Sequence, residues 1–248
     1  MFPDLYEKAR GLVKQSHQAV TLTGAGHSTP SGIPDFRSPG TGLWSRVDPM
    51  QVASIHAFIQ NPHRFYEWYI NTAIDMVQAE PNPAHFALAQ MEKRGVLRAV
   101  VTQNIDGLHQ RAGSAQVLEL HGSNETASCL DCGKVLDGKA LLERYTADRQ
   151  VPYCECGGLM KPDVVLFGEM LPSDVLQRAQ IEIAECDLLI IAGSSLTVAP
   201  ASQLPWLAIQ GGASLIICNL SPTWADPYAE VILREDVAKS LPALLEGW

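Results

Sequence analysis

The apolar run Ala19-Val20-Thr21-Leu22 leads straight into Thr23-Gly24-Ala25-Gly26, and this junction constrains the chain more than any other stretch. A short apolar run bounded by glycine reads as a buried strand. Glycines at the carboxyl end of a strand let backbone N–H groups approach a phosphate that a Cβ would hold away. The junction therefore predicts a dinucleotide cradle at the end of the first strand of an α/β sheet. The usual Gly-x-Gly-x-x-Gly fingerprint breaks at its third glycine, where Thr29 stands. A long Pro/Gly loop running to Asp35-Phe36-Arg37 follows where a dehydrogenase would begin a helix at once. The loop must do more than hold a pyrophosphate.

The rest of the chain supplies the sheet. Residues 4–16 read as an amphipathic helix with Leu5, Ala9, Leu12 and Val13 on one side. Asn61-Pro62 and Asn82-Pro83 are helix starts, an N-cap followed by a first-turn proline. After the first, Phe65, Trp68, Tyr69, Thr72 and Met76 recur at helical spacing; the second helix stops at Gly95, and residues 96–101 read as the next strand. Further strands are expected at 187–192, 214–218 and 230–233, alternating with helical segments near 173–184, 200–210 and 236–246. Near-continuously apolar strands alternating with helices predict a Rossmann-like, doubly wound parallel sheet that binds ligands at the carboxyl ends of its strands.

Four of six cysteines fall into two close pairs, Cys129-x-x-Cys132 and Cys154-x-Cys156, each beside glycine. Four thiolates in two knuckles are the ligand set of a structural zinc ribbon, with a redox pair or a lost site as the other readings. The second pair is one residue shorter than usual, which tightens that knuckle. Four protein ligands leave no open position, so one structural zinc ion is expected and not a catalytic one. Cys186 and Cys218 stand alone beside apolar strands and read as buried small side chains.

Charge narrows the partners. The 248 residues carry 18 Lys+Arg against 27 Asp+Glu, a net charge of −9, which gives no general attraction to nucleic acid or anionic membrane. No apolar run approaches the roughly 20 residues of a membrane span, and the first residues lack a signal-peptide pattern, so a cytoplasmic protein is expected.

Two places can carry chemistry. Gln103-Asn104-Ile105-Asp106 follows directly on the 96–101 strand and Thr102, where an open sheet places ligand groups; the alternative is that Asn104 and Asp106 merely cap a short helix. His121 ends the short apolar stretch 116–120, and an imidazole there can accept a proton from a hydroxyl near neutral pH.

GAGHSTPSGIPDFR (residues 24–37) and TQNIDGLH (102–109) resemble signatures of the sirtuins, NAD-consuming protein-lysine deacylases, in their prokaryotic type. Further matches follow in the same order over nearly the whole chain. The resemblance implies that Gly24, Ala25, Gly26 and Thr29 bind NAD, with Asp35, Phe36 and Arg37 completing that site: Phe36 shields C1′ of the ribose and Arg37 binds phosphate. It implies that Gln103, Ile105 and Asp106 contact NAD, that Asn104 and Asp106 hold nicotinamide and ribose in a reactive posture, and that His121 is the catalytic base. Gly193, Ser194 and Ser195 would meet phosphate, and Asn219 with Asp236-Val237 the adenosine. Residues 161–169 resemble the segment that pairs with substrate as a strand, where Val164, Phe167 and Gly168 would line an acyl-lysine tunnel.

Sirtuins that prefer succinyl or malonyl lysine carry a tyrosine and, three residues on, an arginine. Here Tyr69 is kept but Thr72 stands at the arginine's place, which favours neutral acyl groups, since a buried carboxylate without a cation is costly. The implied activity is NAD-dependent deacylation of acyl-lysine proteins or peptides, releasing nicotinamide and O-acyl-ADP-ribose. The alternatives are a mono-ADP-ribosyltransferase, whose site would look the same, and a noncatalytic NAD or zinc interaction module. The expected organisation is a Rossmann-like domain from 1–122 and 160–248, with a helical insertion at about 38–80, and a small zinc lobe at 123–159.

Overall fold

The computed structural model describes residues 3–36, 42–45 and 47–247. Its main sheet has six parallel strands: β1 (Ala19–Thr23), β2 (Leu97–Thr102), β3 (Val117–Glu119), β7 (Leu188–Ala192), β8 (Ser214–Cys218) and β9 (Val231–Leu233). The remaining three, β4 (Gly122–Cys129), β5 (Val135–Asp137) and β6 (Met160–Val164), form a separate antiparallel sheet in the order β5-β4-β6. All five residues of β1, and of β7, are buried, as parallel strands covered on both faces should be.

The strand order is β3-β2-β1-β7-β8-β9. From β1 the chain builds outward through β2 and β3, then returns to the other side of β1 to build β7, β8 and β9. The reversal puts a crevice at the carboxyl ends of β1 and β7. Pairing is level there, because Thr23 lies opposite both Thr102 and Ala192. Gly24, Gln103 and Gly193 therefore leave the sheet at one height. The helices Pro3–Gln15, Pro83–Lys93 and Val237–Ala243 cover one face around Val13, Leu88, Met91 and Leu241. Ser173–Glu185 and Pro205–Gly211 cover the other around Ala179, Ile183 and Ala208.

Most helix starts behave as their sequence signals require. Asn61 accepts from the Arg64 N–H, and Asn82 from the Ala84 N–H, each ahead of a first-turn proline. The expected helix at 200–210 is instead broken into a 3-10 turn, Ala201–Gln203, and the helix Pro205–Gly211, because Pro205 has no N–H to continue the first turn. The last helix ends at Ala243, one residue after Pro242, and not at 246.

Helix Pro62–Gln78 turns its aromatic face onto the small sheet and its helix, Gly138–Asp148, in a third core holding Phe58, Phe65, Tyr66, Tyr69, Leu141 and Tyr145. Tyr66 and Tyr145 stack at 5.2 Å, and both are fully buried. Their hydroxyls differ: that of Tyr66 donates to the Met160 carbonyl at 2.8 Å, while that of Tyr145 has no partner. Tyr66→Phe orphans a buried carbonyl and should cost about 1–2 kcal/mol in urea denaturation, whereas Tyr145→Phe removes an unsatisfied hydroxyl and should leave stability unchanged or raised.

Candidate active site

At the crevice two backbones cross in contact. The Gly26 N–H donates to the Gly193 carbonyl at 2.9 Å, and the Gly24 N–H to the Ala192 carbonyl at 3.3 Å. A Cβ on Gly193 would lie 2.2 Å from the His27 nitrogen, and one on Gly26 would lie 2.9 Å from the Gly193 oxygen. Gly193 also has φ +65°, a left-handed conformation that side chains disfavour. Both glycines are thus dictated by the crossing. Ser194 sits beside it, its hydroxyl accepting from Gln103 Nε2 at 2.9 Å, while Ser195 is exposed toward Thr197.

Asn104 and Asp106 are buried against this loop. Asn104 Nδ2 donates to the Gly24 carbonyl at 3.1 Å and to the Ser28 hydroxyl at 3.0 Å. The Ser28 hydroxyl in turn donates to Asp106 Oδ2 at 2.6 Å. Asp106 Oδ1 accepts from the Leu108 N–H at 3.0 Å, the first N–H of the short helix Leu108–Arg111 whose N-cap is Gly107, so the carboxylate meets the helix start and also faces the loop. Burial raises the Asp106 pKa, while the Ser28 hydroxyl and the Leu108 N–H pull it down. Sequence reading passed over Ser28; only its place between Gly26 and the next Pro/Gly turn marked it.

His121 leaves β3 two residues after its end, held by the Leu120 N–H bond to the Thr102 carbonyl at 2.9 Å. Its Nδ1 lies 2.9 Å from the Gln103 carbonyl. A carbonyl can only accept, so Nδ1 carries a proton, and in the neutral ring the lone pair is on Nε2. The His121 carbonyl accepts from the Val165 N–H at 2.8 Å, which ties the histidine to the segment after β6. That segment is clamped further: the Phe167 N–H donates to Ala53 at 2.9 Å, and Ile55 N–H donates to Phe167 at 3.0 Å. Lys161 Nζ, itself buried, donates to the Val164 carbonyl at 2.8 Å and pairs with Glu169 at 3.0 Å.

One cavity of about 710 Å³ joins these parts. Gly24, Ala25, Gly26, Thr29, Asp35 and Phe36 line it, as do Gln103, Asn104, Ile105, Asp106 and His121. So do Gly193, Ser194, Ser195, Asn219, Asp236 and Val237 from the far strands, and Val164, Phe167 and Gly168 from the clamped segment. Asp236 also accepts from the Ala238 N–H at 2.8 Å as a helix cap. Tyr69 lines the cavity; Thr72, one turn on, is buried and does not, while Met76 does. Arg37 lies outside the described residues. An aromatic ladder missed in the sequence lines the cavity: Phe36 stacks on Trp44 at 5.1 Å, and Trp44 on Trp68 at 5.5 Å.

The four cysteines of the two knuckles meet in the small sheet, their sulfurs all within 4.8 Å of one another. Cys129 and Cys156 sulfurs are 3.5 Å apart, and those of Cys132 and Cys154 are 3.7 Å apart. Four thiolates around a tetrahedral zinc lie about 3.8 Å apart, so the donor set fits that ion despite the shorter second knuckle. A Cβ on Gly158 would come 2.6 Å from the Cys129 sulfur, which accounts for the glycine there.

A doubly wound α/β protein with a cleft at its switch point and a four-cysteine cluster at a separate small antiparallel sheet is the class that these features define. The Sir2 family model matches residues 24–200. The chain belongs to the Sir2 family. A protein of Caldanaerobacter subterraneus subsp. tengcongensis named NAD-dependent protein deacetylase 2 is 46% identical over 239 residues, covering 96% of this chain and 94% of its own. One of Archaeoglobus fulgidus named NAD-dependent protein deacylase 2 is also 46% identical, covering 98% and 96%. A solved Sir2 complex with a p53 peptide and NAD+ superposes with a TM-score of 0.89 at 40% identity, covering 97% of each chain.

Gly193→Ala meets both a left-handed φ and a backbone atom, whereas Gly212→Ala meets only the φ, +79°, with nothing within 4 Å. Gly212→Ala should cost about 1–2 kcal/mol, and Gly193→Ala clearly more, as read by chemical denaturation.

Proposed function

We propose that this chain is an NAD-dependent protein-lysine deacylase that passes the acyl group to ADP-ribose. What carries the reading is one cleft that brings the glycine crossing, the Asn104–Ser28–Asp106 network and His121, its Nδ1 held on the Gln103 carbonyl, against a clamped segment suited to peptide. The names of the relatives and the NAD+ and peptide complex of the Sir2 neighbour support it.

NAD lies across the strand ends with its pyrophosphate at Gly24–Gly26 and Gly193–Ser195, the adenosine toward Asn219 and Asp236-Val237, and nicotinamide near Asn104 and Asp106. Gln103, Ile105, Thr29 and Asp35 complete its contacts, Phe36 covers C1′, and Arg37 meets phosphate. Acyl-lysine enters past Val164, Phe167 and Gly168, its backbone added beside the clamped segment. The acyl oxygen attacks C1′ as nicotinamide leaves, giving an alkylimidate. His121 Nε2 takes a proton from the ribose hydroxyls, the 2′-hydroxyl attacks the imidate carbon, and water completes release of lysine and O-acyl-ADP-ribose. Among the described residues, no Lys or Arg lines the cleft. A carboxylated acyl chain would meet no described cation near Tyr69, so acetyl and other neutral acyl groups are preferred there.

Cys129, Cys132, Cys154 and Cys156 hold one structural zinc, which fastens the two knuckles and takes no part in the chemistry. No described helix is long and apolar enough to cross a membrane.

Mass spectrometry of the protein with NAD and acetyl-, butyryl- and succinyl-lysine peptides should show deacylated peptide, nicotinamide and O-acyl-ADP-ribose in equal amounts, with succinyl slowest. His121→Ala should lower the rate by about 10²–10⁴-fold. ADP-ribose appearing on protein without deacylation would favour the transferase, and no NAD consumption a binding module. Removing the four-cysteine metal with a chelator should lower the melting temperature, whereas an unchanged melt would remove its structural role.

A further inference from the structure

Behind the nucleotide loop lie three buried histidines that the proposed reaction does not use. His27 follows the Gly24–Gly26 cradle, His85 sits in the first turn of helix Pro83–Lys93, and His109 in helix Leu108–Arg111. Their exposures are 0%, 0% and 1%. The ring centres form a near-equilateral triangle: 4.6 Å for His27–His85, 4.9 Å for His27–His109 and 4.8 Å for His85–His109. One ring nitrogen from each lies within 4.8 Å of the other two. Both nitrogens of His27, Nε2 of His85 and Nδ1 of His109 have no hydrogen-bond partner. Four orphaned polar atoms at one buried spot call for an explanation, since buried polar groups are ordinarily paired.

We propose that His27, His85 and His109 form a second metal site, taking a late first-row divalent cation such as Zn²⁺ or Co²⁺ through three neutral imidazoles. Metal–nitrogen bonds of about 2.0–2.1 Å place the centres of three such rings about 5 Å apart on a tetrahedral ion, close to the triangle observed. Imidazole is a ligand suited to zinc, nickel and copper as well.

The surrounding hydrogen bonds rank the three ligands. His109 Nε2 lies 3.0 Å from the Thr23 hydroxyl, which itself donates to Thr102. Thr23 therefore accepts from Nε2–H, and His109 Nδ1 presents its lone pair to the cluster, the second-shell arrangement that orients a metal-bound histidine. His27 is committed to no partner and can turn either nitrogen inward. His85 is less ready: its Nδ1 accepts from the Asn82 N–H at 3.2 Å, so its proton sits on Nε2, facing the cluster. To ligate, His85 must move that proton from Nε2 to Nδ1 and give up the Asn82 bond. Asn82 still caps the helix through the Ala84 N–H. His85 is thus the weakest ligand of the set. An ion held here joins the loop after β1, the helix after Asn82 and the turn after Asp106, all directly beneath the nucleotide cleft.

The test is a Co²⁺ titration of the full chain with its four-cysteine site filled by zinc. The wild type should take up one equivalent of Co²⁺, with ligand-field bands but no thiolate charge-transfer band, and should melt at a higher temperature with Co²⁺ than without. His27→Leu and His109→Gln should each weaken Co²⁺ by at least about a hundredfold, and His85→Asn by less. Wild-type protein that takes up no Co²⁺ overturns the proposal whatever the variants do, and leaves the trio as a core bridged by water. A Co²⁺ equivalent that survives unchanged in His27→Leu and His109→Gln overturns it equally, because the ion then lies elsewhere.

Discussion

The contact of Gly26 with Gly193, at a distance that admits no side chain, is what the cleft depends on. It arises because β1 and β7 are neighbours whose ends are level, so the two chains must cross as they leave the sheet. The crossing turns backbone N–H groups and small side chains toward the crevice. It also sets the height of everything else, since Gln103 leaves β2 at the same level and reaches Ser194 through its amide. Polar groups from three strands thus converge without any of them lying on a long flexible loop.

The second half of the cleft is built by hand-over of backbone bonds. Leu120 bonds Thr102, His121 bonds Val165, and Phe167 bonds Ala53 and Ile55, so the parallel sheet, the small sheet and the helical insertion share one ladder. The proton on His121 Nδ1 is fixed by a carbonyl of the same loop that carries Asn104. Orientation of the proposed base and placement of the loop after β1 are therefore set by one short segment, residues 102–106. Lys161 and Glu169 add a partly buried ion pair that spans the segment after β6 and meets three backbone groups there, the Pro162 and Val164 carbonyls and the Leu166 N–H.

Much of this is legible in the sequence because its causes are local. An apolar run ending in glycine, two cysteine pairs and a proline after asparagine each dictate their own structure, and all appear where expected. Long-range partners are not legible in that way. Nothing local tells that Ser28 joins Asn104 to Asp106, that Trp44 and Trp68 stack in the cavity lining, or that His27, His85 and His109 meet. Residues 27, 85 and 109 are brought together by the pairing of β1 with β2 and by Asn82, whose amide holds the helix start to the His27 carbonyl. Helical phase is also coarse at single positions: Thr72, one turn from Tyr69, is buried and outside the cavity lining, whereas Met76, a turn further on, lines it.

A crystal structure of the chain with NAD and an acetyl-lysine peptide, trapped with a slowed His121 variant, tests the account most directly. It should place the pyrophosphate over the crossing of Gly26 and Gly193, nicotinamide against Asn104 and Asp106, and the acetyl oxygen facing C1′ from the opposite side. Nucleotide bound away from the crossing, or peptide that does not bring its acyl oxygen to C1′, would contradict it.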